Sequence, residues 1–184
     1  MVLNKTAQGW RICTPTFTPL MGLLLLLGLA ACQSQPAKNT NRAQPWRNQS
    51  LAQLLPIPVD GVTSQQLTNT WGAARSNGRR HEGIDIFAAK GTPIRSTTVG
   101  VVQKISEGGA GGKAISILGP ASSRHYYAHL QRFAALKVGD LVKVGTVLGT
   151  VGDTGNAKGG SPHLHYGIYL NDGRAVNPYP YLVR

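Results

Sequence analysis

The sequence predicts an all-β fold, mostly antiparallel, on three observations. Short stretches of apolar residues recur from about Val62 onward, many of them alternating with polar ones. Gly, Pro and Asp break them roughly every 8–12 residues, the spacing of sandwiches and barrels. Asp and Glu together number only 7 against 23 glycines, and helical proteins lean on Glu, Lys, Ala and Leu.

The strand candidates follow in order. They are Thr92–Thr97, Gly100–Ile105, Lys113–Leu118, His125–Leu130, Asp140–Val144, Thr146–Val151 and His163–Tyr169. Asn171-Asp172-Gly173-Arg174 reads as a hairpin turn joining the last two strands. One short helical turn fits at Gln131–Leu136. Upstream, Leu51–Val59 is apolar, but Pro56 and Pro58 exclude a helix. It is expected to lie as an extended arm against the domain.

The N-terminus reads as an export signal. Met21–Ala31 is an apolar run too short to span a bilayer, which takes about 20 residues. Lys5 and Arg11 precede it and no acid does. It ends in Leu29-Ala30-Ala31-Cys32, which resembles a bacterial lipobox, where the cysteine is lipidated and becomes the mature N-terminus. Residues 1–31 are thus expected to be a lipoprotein signal peptide. Residues 32–55 are expected to be a disordered, lipid-anchored tether, because Gln, Asn, Pro and Lys bury too little surface to offset chain entropy. Residues 56–184 form the domain. With Cys13 removed, Cys32 stands alone and no internal disulfide forms. Gln33 after the cysteine is not the Asp of an inner-membrane retention signal. The expected location is the periplasmic face of the outer membrane, with a soluble periplasmic protein as the alternative.

The formal charge is +12, and removal of Lys5 and Arg11 leaves +10. Such a protein seeks polyanions: anionic lipid, wall polymer or nucleic acid. Export excludes nucleic acid. Arg75, Arg79 and Arg80 cluster just before His81, either as a solvated turn or as a contact for anionic wall components.

Five histidines carry the chemical signal: His81, His125, His129, His163 and His165. In a strand the side-chain period is two, so His163 and His165 share a face. Asp85 alternates with Ile84 and Ile86 and so lies opposite two aliphatics. A polar sheet face bearing His and Asp is the geometry of a metal site. Catalytic zinc takes three protein ligands and keeps a fourth position for water. Two His and one Asp fit that pattern. Glu82 is the other carboxylate in reach by sequence, on the opposite face of an extended segment. A ferrous two-His-one-carboxylate oxygenase fits less well, since its His and carboxylate are one residue apart.

His81-Glu82-Gly83-Ile84-Asp85-Ile86, Tyr127-Ala128-His129-Leu130, Gly152-Asp153-Thr154-Gly155 and Ser161-Pro162-His163-Leu164-His165-Tyr166 occur in one order. In that combination the chain resembles the lysostaphin-type (LytM-type) zinc endopeptidases, over roughly 59–184. The resemblance implies a small antiparallel sheet crossed by a substrate groove. It implies one zinc ion per chain on His81, Asp85 and His165. It implies His129 and His163 as catalytic histidines that do not bind the metal. The implied activity is hydrolysis of peptide cross-links in peptidoglycan, with stem peptides as partners. A D,D-endopeptidase is the first expectation and oligoglycine bridges the other substrate. Some relatives have lost ligands and only bind the wall and activate other hydrolases; here every implied position is filled. Two departures stand out: Tyr166-Gly167 where many relatives carry Phe-Glu, and Gly112–Pro120 in place of a fuller strand. Trp46, Trp71, Tyr126, Tyr127 and Tyr166 are candidates for the groove lining, with core packing the role of at least half.

Overall fold

The computed structural model describes residues 44–183. The signal-peptide expectation and Cys32 lie outside them. The architecture is antiparallel β, as the sequence predicts. Ten strands form two sheets: β1 (Ile84–Phe87), β2 (Pro93–Arg95), β3 (Gly100–Ser106), β4 (Ala114–Leu118), β5 (Arg124–Ala128), β6 (Leu130–Phe133), β7 (Leu141–Val142), β8 (Val147–Val151), β9 (His163–Tyr169) and β10 (Ala175–Val176). The larger sheet runs β1-β9-β5-β4-β3-β7, with β10 also on β9; the smaller runs β2-β8-β6.

The register of β9 sorts its side chains. Ile84 pairs with Tyr166 and Ile86 with Leu164 on one side of β9. On the other side Tyr127 pairs with Tyr166 and His125 with Ile168. Residues paired across strands share a face, so all of these point into the core with Ile115 and Ile117. Each is at most 2% exposed. Asp85, His163, His165, Ala128 and Tyr126 take the opposite face by strand alternation. Tyr127 and Tyr166 therefore pack in the core instead of lining the groove. Trp46 is also buried, and Trp71 packs against the core.

The N-terminal arm is ordered further back than composition suggests. Residues 32–55 read as a tether, yet Pro45–Asn48 forms a 3-10 turn that lies against Pro120–Ser122, with Trp46 buried. Leu55 is in the core, and its N–H donates to the Tyr181 carbonyl at 2.7 Å. One tryptophan and one leucine supply burial that the polar average of the segment conceals. Beyond it the arm is extended, as Pro56 and Pro58 require. Val59 bridges Ile94, and Asp60 accepts two hydrogen bonds from Arg95 at 2.6 and 2.9 Å. The expected helical turn at Gln131–Leu136 does not form: its first half, Gln131–Phe133, belongs to strand β6, held on β8, and its second half is irregular. The helical turn of the fold is α1 (Tyr179–Leu182), after Pro178. The Asn171–Arg174 turn joins β9 to β10: Gly173 N–H donates to the Leu170 carbonyl and Leu170 N–H to the Arg174 carbonyl, both at 2.9 Å.

The core face carries one polar network. Thr97 Oγ1 meets the hydroxyls of Tyr127 and Tyr166, each at 2.8 Å, and His125 Nδ1 lies 2.8 Å from the Tyr166 hydroxyl. Ser123 Oγ closes the far side, 3.1 Å from His125 Nε2. Burial pushes the His125 imidazole down to about 4 from 6.5. It is neutral in the folded protein, while the unfolded chain takes up a proton as pH falls below 6.5. This contribution to stability is fully present above pH 6.5 and is lost as pH falls toward about 4. We expect His125→Gln to be destabilised at pH 7 but to lose about 2 kcal/mol less than wild type between pH 7 and 4.5. Urea unfolding at both pH values measures it. Equal losses in the two proteins would show that His125 is not the titrating group.

Candidate metal centre

Asp85 stands directly across from His165 in the β1–β9 pairing, and His165 across from Ala128 in the β9–β5 pairing. The small Ala128 side chain leaves space above the pair. His163, two residues before His165, stands across from Phe87 and packs on its ring at a centroid distance of 5.2 Å. Phe87 is 57% exposed, an aromatic left in solvent at the site's edge. Gly83 is fixed by close approach: a Cβ there would lie 2.6 Å from His165 Cε1. This gives the glycine of His81-Glu82-Gly83-Ile84-Asp85 a steric cause.

His81 arrives from a separate hairpin, residues 72–81, whose arms are joined by the Ala74–Arg80 bridge. Thr70 ties this hairpin to β1. Its carbonyl accepts the His81 Nδ1–H at 2.8 Å, and its Oγ1 accepts the Asp85 N–H at 2.9 Å. Because a carbonyl can only accept, the proton of neutral His81 is on Nδ1, and Nε2 presents a lone pair. That nitrogen lies 2.8 Å from His165 Nδ1 and 3.1 Å from Asp85 Oδ1; His165 Nδ1 is also 3.1 Å from Asp85 Oδ1. Arg75 Nη2 donates to the other carboxylate oxygen, Oδ2, at 2.6 Å.

His81, Asp85 and His165 are the group of potential metal donors found among the described residues, with ligand atoms within 4.8 Å of one another. Burial lowers the His165 imidazole, outweighing Asp85, which raises it. Burial raises the Asp85 carboxyl, but the neighbouring His165 and His81 together outweigh it and hold the group well below the carboxylate range. The set is two imidazole nitrogens and one carboxylate oxygen converging at contact distance. A divalent cation satisfies all of these lone pairs at once, and this donor set suits zinc. Glu82 lines the same groove but is outside the converged set.

Two further histidines face the centre. His129 lies between β5 and β6 with φ of +64°, a left-handed conformation that costs about 1–3 kcal/mol in a non-glycine residue. Its N–H donates to the Gly111 carbonyl and its Nδ1–H to the Thr154 carbonyl, at 2.9 and 2.8 Å. Thr154 Oγ1 in turn accepts the Lys113 N–H and donates to the Leu130 carbonyl. His163 Nδ1–H donates to the Ser161 carbonyl at 2.8 Å. Its Nε2 lies 3.9 Å from Asp85 Oδ1, and its ring centroid is 4.9 Å from that of His129. Burial first, with His163 adding to it, pushes the His129 imidazole down to about 4. Each ring sets Nδ1–H on a carbonyl and leaves Nε2 as the working nitrogen. His125, by contrast, is in the core network and takes no part in the site.

These groups line an open groove of about 490 Å³. One wall carries Arg75, Arg79 and Arg80; Tyr126 and Tyr169 form another; Asn156 and Ala157, from the Gly152–Gly160 loop, form the rim. Thr70, Thr154 and Ser161 are functional partners that the sequence reading missed. They act through backbone carbonyls, which leave no residue-type signature. Tyr169 was also missed, although its even spacing from His163 and His165 along β9 puts it on their face.

The sequence profile of Peptidase family M23 matches residues 79–178. The chain is 42% identical over 138 residues to an L-Ala–D-Glu endopeptidase of Bacillus subtilis, covering 69% of this chain and 42% of that protein. It is 36% identical over 118 residues to the DD-carboxypeptidase/endopeptidase Mpg of Neisseria meningitidis, covering 64% of this chain and 25% of that protein. A zinc-containing peptidase from Vibrio cholerae superposes with a TM-score of 0.54 at 27% identity, over 70% of this chain and 39% of that one. The chain thus spans less than half the length of each. The profile match takes in more than half of the chain and contains all five histidines and Asp85, and the chain belongs to Peptidase family M23.

Proposed function

We infer that the protein is a zinc-dependent endopeptidase that hydrolyses peptide bonds of peptidoglycan. The observation that carries this reading is the convergence of His81 Nε2, Asp85 Oδ1 and His165 Nδ1 in an open groove, with the Nε2 atoms of His129 and His163 beside them. His81, Asp85 and His165 would hold the ion. Zinc supplies Lewis acidity: it lowers the pKa of water toward about 7 and polarises a carbonyl. The other work falls to the chain itself. His129 and His163 are each anchored through Nδ1; one accepts a proton from water at Nε2, and the other, when it carries a proton on Nε2, donates it to the developing oxyanion. The water oxygen bonds to the carbonyl carbon, the C–N bond breaks, and the proton passes to the leaving nitrogen. A non-catalytic wall-binding protein is the other reading; it has no need of two anchored histidines beside a full donor set.

The D,D cross-link, D-alanine joined to the side-chain amine of meso-diaminopimelate, is the preferred bond, in keeping with the name of the Neisseria relative. The name and 42% identity of the Bacillus relative favour a second bond, L-Ala–D-Glu. Purified wall incubated with the protein, with and without chelator, separates the two. D,D cleavage turns cross-linked dimers into monomers of unchanged stem, whereas L-Ala–D-Glu cleavage shortens the stem. Release that persists in chelator would contradict the metal.

His129→Ala and His163→Ala are expected to retain one zinc per chain and to lose about 10²–10⁴ of the activity. Elemental analysis beside the wall assay checks this. Loss of zinc from His163→Ala would reverse the roles within the His163/His165 pair.

We place the protein at the periplasmic face of the outer membrane through a lipid on Cys32, on the lipobox-like Leu29-Ala30-Ala31-Cys32. Several acyl chains anchor firmly where one does not. Cys32→Ser is expected to move the protein from the membrane to the soluble fraction; unchanged fractionation would exclude the anchor.

A further inference from the structure

The hairpin that delivers His81 carries a charge arrangement that the metal does not explain. Ala74 bridges Arg80, and Arg75 N–H donates to the Arg79 carbonyl at 2.9 Å, so Arg75 stands across from Arg79. Arg79 is two residues from His81, and the strand period puts Arg75, Arg79 and His81 on one face, toward the groove. Like charges directly opposite each other are destabilising. Arg75 is compensated by Asp85 Oδ2. Arg79 is not: its guanidinium reaches only Ser76 O and Oγ, both at 3.4 Å, and it has no carboxylate partner among the described residues. Arg80 donates only to the Gly72 carbonyl at 3.2 Å. Arg75, Arg79 and Arg80 against Glu82 and Asp85 give the groove a formal charge of +1. A divalent metal raises it further.

An uncompensated guanidinium beside a metal ligand, on the wall of an open groove, is a receptor for a carboxylate. Arginine presents a planar fork that matches a carboxylate with two parallel N–H···O bonds. We propose that Arg79 binds a free carboxylate on the carbon that bears the nitrogen of the scissile amide. This rests on the peptidase reading above and deepens it. The two bonds considered there share that group. In the D,D cross-link the diaminopimelate carbon bonded to the amide nitrogen carries a carboxylate, and in the L-Ala–D-Glu bond the D-glutamate α-carbon does. A glycyl-glycine bridge has a peptide carbonyl at that position and no charge. The arginine wall therefore selects acidic stem peptides over neutral bridges, and it uses the same carboxylate whichever of the two bonds is cut.

The test uses the full chain, zinc-loaded, and two substrates. One is the wall peptide whose cleavage the wall incubation identifies; the other differs only by a carboxamide in place of that carboxylate. Wild type is expected to prefer the carboxylate by about tenfold or more in kcat/KM, the scale of one charged hydrogen-bond pair. In Arg79→Gln the ratio is expected to fall toward one, and Arg79→Lys should restore part of it. Because the readout is a ratio within each protein, partial misfolding of a variant does not move it. Equal cleavage of both peptides by wild type, or an undiminished ratio in Arg79→Gln, would overturn the inference and leave the peptidase reading standing. Failure of wild type to cut whole wall as well as both peptides would overturn the peptidase reading itself.

Discussion

Asp85 faces His165 because β1 and β9 pair in one antiparallel register, and the remaining geometry of the site depends on that pairing. A slip of one residue would carry Asp85 to the core face and bring Ile84 or Ile86 to the groove. The register is pinned from the opposite side of the sheet. Ile84, Ile86, Leu164, Tyr166 and Ile168 are at most 2% exposed, and exposing such side chains costs about 1.5–3 kcal/mol each. The apolar half of β1 and β9 thus sets where the polar half stands. The Thr97–Tyr127–Tyr166–His125 network strengthens this, because its hydroxyls find partners only when the β5–β9 pairing is in place.

On the groove face the same logic continues through backbone carbonyls. Thr70, Thr154 and Ser161 each accept the Nδ1–H of one histidine, so His81, His129 and His163 all turn Nε2 inward. Second-sphere acceptors of this kind fix the tautomer and the ring orientation of a metal site. Arg75 takes one oxygen of Asp85 and leaves the other for the centre. The centre is thus prepared by backbone carbonyls and one guanidinium outside the donor set, and the groove beside it stays open.

Much of this was legible in the sequence, and what was not has identifiable causes. The alternation of Ile84-Asp85-Ile86 and the His163-Leu164-His165 spacing show which side chains share a face, because strand parity needs no tertiary information. Parity fails at His129. Residues 125, 127 and 129 would share a face in an unbroken strand, but the positive φ of His129 ends β5 and turns its ring away from His125 and Tyr127. Motif resemblance placed His129 in the site where periodicity would have put it in the core. Tyr126 and Tyr127 are adjacent and so must face opposite ways, but which one meets the groove follows from the β5–β9 register, which is a long-range property. Gln131–Leu136 reads locally as a helical turn, but its first half becomes strand because β8 offers it hydrogen-bond partners. The arm near Trp46 is ordered by one large side chain against its polar composition.

In the proposed enzyme two imidazoles and one carboxylate, from His81, His165 and Asp85, would form the protein part of a zinc coordination shell. X-ray absorption at the zinc edge of the loaded protein measures that shell directly. Two imidazole nitrogens at about 2.0–2.1 Å, with the remaining ligands oxygen, is the predicted spectrum. Asp85→Asn and His165→Ala should each alter it, while His129→Ala leaves it unchanged. A shell of three or four imidazoles, or one that survives His165→Ala intact, would contradict this ligand set.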